Sequence, residues 1–168
     1  MRWRVALLTT CSNGMRGGDE EASAQVIREL VEEELGGVVI EERVVPDDHA
    51  EIRAALIELT DYFRPHLVLT TGGTGLGPRD VTPEATLMVT ERSVPGMAEA
   101  MRIAAMHRLP RAMLFRGVCG IRGRTLIVNL PGDPRGVHEH LRVILETLPA
   151  ALAETSGDAL PGEHRKVL

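Results

Sequence analysis

The segment Val68–Thr86, VLTTGGTGLGPRDVTPEAT, decides the fold. It opens on apolar and β-branched residues that read as a buried strand. It then breaks into four glycines, an Arg79-Asp80 pair and a helix start, with Thr82 expected as N-cap, Pro83 at the first helical position and Glu84 in the first turn. Glycines remove side-chain bulk, reach positive φ and let backbone N–H groups converge on an anion. The helix end that follows also favours negative charge.

The same grammar runs outward in both directions. Arg4–Thr10, Val38–Val45, His66–Thr71 and Thr125–Leu130 read as strands. Between them lie helical stripes: Val26, Ile27, Leu30, Val31 and Leu35; Ile52, Leu56, Leu59 and Phe63; Val137, Leu141, Ile144, Leu145 and Leu148. Such alternation specifies an α/β protein whose mainly parallel sheet is covered on both faces. Met113–Ile127 reads instead as two β segments joined near Arg122-Gly123, an antiparallel pairing. Gly96–His107 is expected to add a helix with Met97 and Met101 on its packed face. One domain is expected over residues 1–154, followed by a loosely held polar tail from Thr155.

Composition narrows the function. The chain has 168 residues, 43% of them hydrophobic, which suits one domain with a real core. A net charge of −5 argues against a nucleic-acid or membrane-surface partner. No apolar run approaches the ~20 residues of a membrane span, and the start does not resemble a signal peptide, so a cytoplasmic location is expected. Cys11 and Cys119 match no metal spacing and read as buried, reduced thiols. Lys166 is the only lysine, so no P-loop is present and phosphate must be met by backbone N–H groups, arginine or a metal.

In an open parallel sheet, ligands bind beyond the carboxyl ends of the strands. The unusual residues sit there: Cys11-Ser12-Asn13-Gly14, Pro46-Asp47-Asp48, Gly72 to Asp80, and Pro131-Gly132-Asp133-Pro134. A carboxylate at Asp80 repels phosphate unless Mg²⁺ lies between them, and magnesium is commonly held by one or two carboxylates plus substrate phosphates. Asp48 with Glu51 fits a helix cap, leaving Asp47 as the second metal or substrate candidate. Asn129 to Pro134 should form a rigid wall for a planar ligand. Arg116, Arg122, Arg124 and Arg135 are candidate phosphate contacts. The histidines have no metal spacing, and no GxSxG or other nucleophile signature occurs.

Read together, TTGGTGLGPRDVTPEAT, RTLIVNLPGDPRG and VVPDDHAEI resemble the molybdenum-cofactor biosynthesis proteins of the MogA/MoaB type, over roughly Val5 to Ala153. The resemblance implies a three-layer α/β/α sandwich that assembles as a homotrimer, sometimes paired into a hexamer. It implies adenylyl transfer, in which molybdopterin and ATP with Mg²⁺ give adenylyl-molybdopterin and pyrophosphate, with a molybdenum-insertion enzyme as a further partner. On this chain it assigns Asp47 and Asp80 as functional aspartates, in keeping with the metal role expected of both from their charge. Thr71, Gly72, Gly73, Thr74 and Gly75 match the phosphate cradle, Asn129, Leu130, Pro131 and Gly132 match the wall beside the pterin, and Ser12 lies in the loop after strand one. This chain departs from the family pattern at Cys11-Ser12, where a Ser-Asp pair is usual, at Glu21-Ala22-Ser23-Ala24-Gln25, at Phe115, where a serine is common, and at Asp133 and Arg135. A non-catalytic molybdopterin-binding or scaffolding paralogue is therefore the alternative. A flavodoxin-like flavin protein is a third reading, weakened because none of the four aromatics (Trp3, Tyr62, Phe63, Phe115) lies in the edge loops.

Overall fold

A computed structural model describes residues 2–158. The expected strands form to within a residue at either end, as β1 (Trp3–Cys11), β2 (Gly37–Pro46), β3 (Leu67–Thr71) and β6 (Thr125–Leu130). Two short strands, β4 (Arg92–Ser93) and β5 (Cys119–Arg122), complete a six-stranded sheet in the order β2-β1-β3-β6-β5-β4. The four long strands are parallel; β5 pairs antiparallel with β6 as expected, and β4 extends that arrangement.

Alternation along each strand makes the layers. Val5, Leu7, Leu67, Leu69, Leu126 and Val128 face one core, closed by α1 (Gly18–Glu29), α4 (Pro95–Met106), α5 (Pro134–Leu145) and α6 (Leu148–Ser156). Ala6, Leu8, Val68 and Ile127 face the other, closed by α2 (His49–Glu58) and α3 (Thr82–Val89). Successive strand side chains point to opposite faces, so runs apolar at every position are what a doubly covered sheet requires.

Several expectations change in detail. The first two stripes leave the α-helix for a π turn, at Leu30–Glu34 and Leu59–Phe63. The third is divided: α5 ends at Leu145 and Leu148 opens α6, because Pro149 has no N–H to continue the α5 ladder. Residues 155 and 156, expected in a loose tail, are the last turn of α6, which stops at Gly157 with φ 79°. The rest of that tail, 159–168, lies outside the described residues. The β segment expected from Met113 begins only at Cys119, since Pro110–Leu114 forms a 3₁₀ turn and Arg116 N donates to Thr74 O at 2.9 Å. Both cysteines are free and buried, and burial pushes the Cys119 thiol up to about 12. No helix among the described residues is long and apolar enough to cross a membrane.

Candidate active site

Because β1, β2, β3 and β6 run parallel, their carboxyl ends share one edge, and the four loops meet there. Direct bonds hold them together. Asp47 N donates to Cys11 O at 3.1 Å, Thr71 Oγ1 to Pro131 O at 2.6 Å, and Ser23 Oγ to Gly132 O at 2.9 Å. The third and fourth loops lie back to back: a Cβ on Gly132 would stand 3.3 Å from Gly72 Cα.

The glycines of the third loop are explained by what they approach. Gly72 has φ 98°, and a Cβ there would lie 2.5 Å from Thr10 O. Gly73 has φ 65°, and a Cβ there would lie 2.2 Å from Thr82 Oγ1 and 3.1 Å from Thr10 Oγ1. Only glycine fits a left-handed turn pressed so closely on two threonines. Further along, Asp80 Oδ2 accepts from Gly77 N at 2.8 Å, and a Cβ on Gly75 or Gly77 would stand 2.9 or 2.8 Å from that oxygen. Asp80 thus closes its own loop as well as bringing a charge to the edge.

Around the Gly72-Gly73 turn, Thr10 Oγ1, Thr82 Oγ1 and Asp47 Oδ1 are buried without a hydrogen-bond partner. Buried polar atoms are nearly always paired, so three unpartnered oxygens at one turn mark a ligand's place. Burial raises the Asp47 carboxyl above the ordinary aspartate range, with Asp80 and Glu20 pushing the same way. The Thr10 hydroxyl lies near enough to offset part of this, without a bond of normal geometry. A bound cation relieves the same strain.

Two cavities flank the turn. The smaller, about 260 Å³, is lined by Thr10, Ser12, Glu20, Asp47, Gly72 and Gly73 among others. The larger, about 640 Å³, lies between Thr74-Gly75-Leu76 and Pro131-Gly132 over an apolar floor that includes Phe115. Gly132 borders both. No cluster of three acidic, histidine or cysteine groups able to hold a metal occurs among the described residues. The donors present still suit magnesium: Asp47 and Glu20 share the smaller cavity, and Mg²⁺ takes one or two carboxylates and completes its shell with water and phosphate.

The expected site residues divide. Ser12, Asp47, Thr71, Gly72, Gly73, Thr74, Gly75, Pro131 and Gly132 line the cavities. Asp80, Asn129 and Leu130 do not: Asp80 Oδ2 is taken by Gly77 N within the third loop, and Asn129 and Leu130 support the wall from behind. Leu130 belongs to the core, and Asn129 donates to Thr70 Oγ1 and Thr86 Oγ1 at 3.0 Å each and accepts from Val118 N at 3.1 Å. Thr82 is the first helical residue and Val81 the N-cap, because Thr82 N donates to Gly73 O at 3.1 Å and draws the residue into the turn. Asp48 does cap α2, accepting from Ala50 N and Glu51 N. Arg122 and Arg124 lie at the opposite end of the sheet, Arg135 lines the larger cavity while paired with Glu139, and Arg116 grips the third loop. Sequence reasoning missed Thr10, Glu20 and His140, and it set Phe115 apart from the edge loops, whereas the fold brings that ring to the larger cavity. Phe115 meets the His140 ring edge-on at 4.6 Å, and burial lowers the His140 pKa.

Comparison with known proteins agrees with this geometry. Residues 6–150 match the family described as probable molybdopterin binding domain. A molybdopterin adenylyltransferase of Helicobacter pylori is 36% identical over 146 residues, covering 86% of this chain and 83% of that protein. A protein of the same name from Escherichia coli K12 is 51% identical over 102 residues, which are 61% of this chain and 52% of that one. The crystal structure of the molybdopterin biosynthesis enzyme MoaB from Thermus thermophilus superposes with a TM-score of 0.85 at 44% identity, covering 92% of this chain and 97% of that one.

Proposed function

The chain belongs to the molybdopterin-binding-domain family, and on that premise we propose that it is a molybdopterin adenylyltransferase of molybdenum-cofactor biosynthesis. A phosphate oxygen of molybdopterin attacks the α-phosphorus of ATP, adenylyl-molybdopterin forms, and pyrophosphate leaves. The observation that carries this reading is the group of unpartnered oxygens at Thr10, Asp47 and Thr82, set at a glycine turn between two cavities. Two substrates joined through phosphate need two adjoining compartments with hydrogen-bonding groups at the junction.

The chain's own residues would then work by position and charge, the main sources of rate in such transfers. The Gly72–Gly75 backbone cradles phosphate, and the Thr10 and Thr82 hydroxyls donate to its oxygens. Pro131 and Gly132 wall the planar ring, which rests over the Phe115 floor. Asp47 and Asp80 hold the negative charge that recruits Mg²⁺, whose own contribution when bound is to neutralise phosphate charge.

The domain is proposed to include α6 and to act in the cytoplasm as a homotrimer or hexamer. Exposed Leu87, Met88 and Ile103 on α3 and α4 support assembly. A molybdenum-insertion enzyme would take the product. The decisive test incubates the purified protein with molybdopterin, ATP and Mg²⁺. Adenylyl-molybdopterin and pyrophosphate that vanish without Mg²⁺ establish the transferase. Tight molybdopterin binding without product makes the chain a carrier or scaffold.

A further inference from the structure

One residue grips the third loop at three carbonyls. Arg116 N donates to Thr74 O at 2.9 Å, Nε to Gly75 O at 2.7 Å and Nη2 to Asp80 O at 2.6 Å, while Nη1 pairs with Glu84 in the first turn of α3. The bond to Arg116 holds the Glu84 carboxyl below its ordinary range. Arg116 itself lines neither cavity.

In a trans peptide the C=O and the next N–H point in opposite directions. With the carbonyls of Thr74 and Gly75 fixed on Arg116, the N–H groups of Gly75 and Leu76 are turned to the other side. Thr74, Gly75 and Leu76 are the loop residues that line the larger cavity. Neither N–H donates to an acceptor among the described residues, whereas the next one, Gly77 N, is taken by Asp80. Successive free N–H groups held on one side make an anion-binding concavity.

We propose that Arg116 is a positioning residue: it aims the Gly75 and Leu76 amides at a phosphate group in the larger cavity without touching that phosphate. The inference rests on the phosphate-bearing substrates proposed above. The phosphate belongs to the nucleotide or to molybdopterin, and the two are separable by titration. A direct phosphate contact needs only a positive charge, which lysine retains. Holding carbonyls on Nε and Nη2 needs the planar guanidinium fork, which lysine lacks.

The test records amide NMR spectra of the wild-type protein during separate titrations with ATP, molybdopterin and pyrophosphate. Affinities and KM values then follow for Arg116→Lys and Arg116→Gln, with circular dichroism to confirm folding. The Gly75 and Leu76 amides should shift with at least one substrate, and that substrate is the source of the phosphate. Both variants should lose roughly tenfold to a hundredfold in affinity for it, the loss of one or two charge-assisted hydrogen bonds. Arg116→Lys within about twofold of wild type, a margin small against the effect of one such bond, overturns the positioning role. Unmoved amides with all three ligands overturn it without recourse to a variant, even if Arg116→Gln does not fold. Shifts without adenylyl product keep the phosphate site and refute the transferase; product with unmoved amides does the reverse.

Discussion

The sheet has cavities at both ends, and the two ends treat polar atoms differently. Where the strands begin, a cavity of about 420 Å³ is lined by Asp61, His66, Arg122 and Arg124 among others. There Arg122 is bidentate to Asp61 at 3.0 and 2.7 Å, Thr125 Oγ1 donates to Pro65 O at 2.6 Å, and His66 Nδ1 accepts from Arg4 N at 3.0 Å. Where the strands end, the two cavities measure about 260 and 640 Å³. Yet among the described residues the buried side-chain atoms without partners, on Thr10, Arg16, Asp47, Thr82 and His140, all lie at or beside that second end. Volume alone does not separate the ends, since about 420 Å³ lies between about 260 and 640 Å³; unmet hydrogen-bonding capacity does. The first end satisfies its own buried polar atoms, and the second leaves several of them unmet.

The contrast breaks most readily at Asp80. Asp80→Asn keeps an acceptor for Gly77 N and removes the charge, so adenylyl transfer should fall about 10²–10³-fold with little change in melting temperature. Asp80→Ala should lower both. Turnover of Asp80→Asn near wild type, read as pyrophosphate release, would refute the charge role. Gly73→Ala comes next. Its Cβ would strain a residue at φ 65° and strike Thr82 Oγ1, so unfolding in urea should show a loss of about 1–3 kcal/mol.

Asp47 sharpens the comparison through pH. Its folded pKa is raised, chiefly by burial, so folding favours the protonated form. That stabilisation is complete below the ordinary pKa of about 4 and is lost as pH rises through the raised value. Asp47→Asn has no such loss. Melted in parallel without ligand, it should match wild type in acid and exceed it slightly at neutrality, and Mg²⁺ with ATP should reverse that order. Smallest of all is Arg122→Ala at the end where the strands begin. Asp61 is half exposed, so stability should change by about 0.5 kcal/mol or less and turnover not at all.

The sequence exposes these features unevenly. The strands of both cores were readable because β-branched runs bounded by glycine and proline leave few alternatives, and the four loops followed from parallel topology. The Asp48 cap was readable because its partners are two and three residues away. Asn129 and Leu130 were misplaced by adjacency to Pro131, although strand alternation already sends them to opposite faces. Thr82 has the local look of a cap, but a bond to Gly73, nine residues back, decides otherwise. The unpartnered oxygens come from three different elements, and Arg116 reaches a loop about forty residues away in sequence, so neither has a local signature.

The buried thiols have a practical consequence. Cys119 is sealed in the core with its pKa pushed to about 12, and Cys11 is 5% exposed with its thiol donated to Met15 O and its pKa also raised. Neither offers an accessible thiolate at neutral pH, and the thiolate is the form that alkylating reagents attack. A single cysteine introduced at Leu76, whose side chain projects from the glycine-rich loop, would therefore take a maleimide fluorophore selectively in the native background. With that one substitution, Leu76→Cys, fluorescence would report on the glycine-rich loop alone.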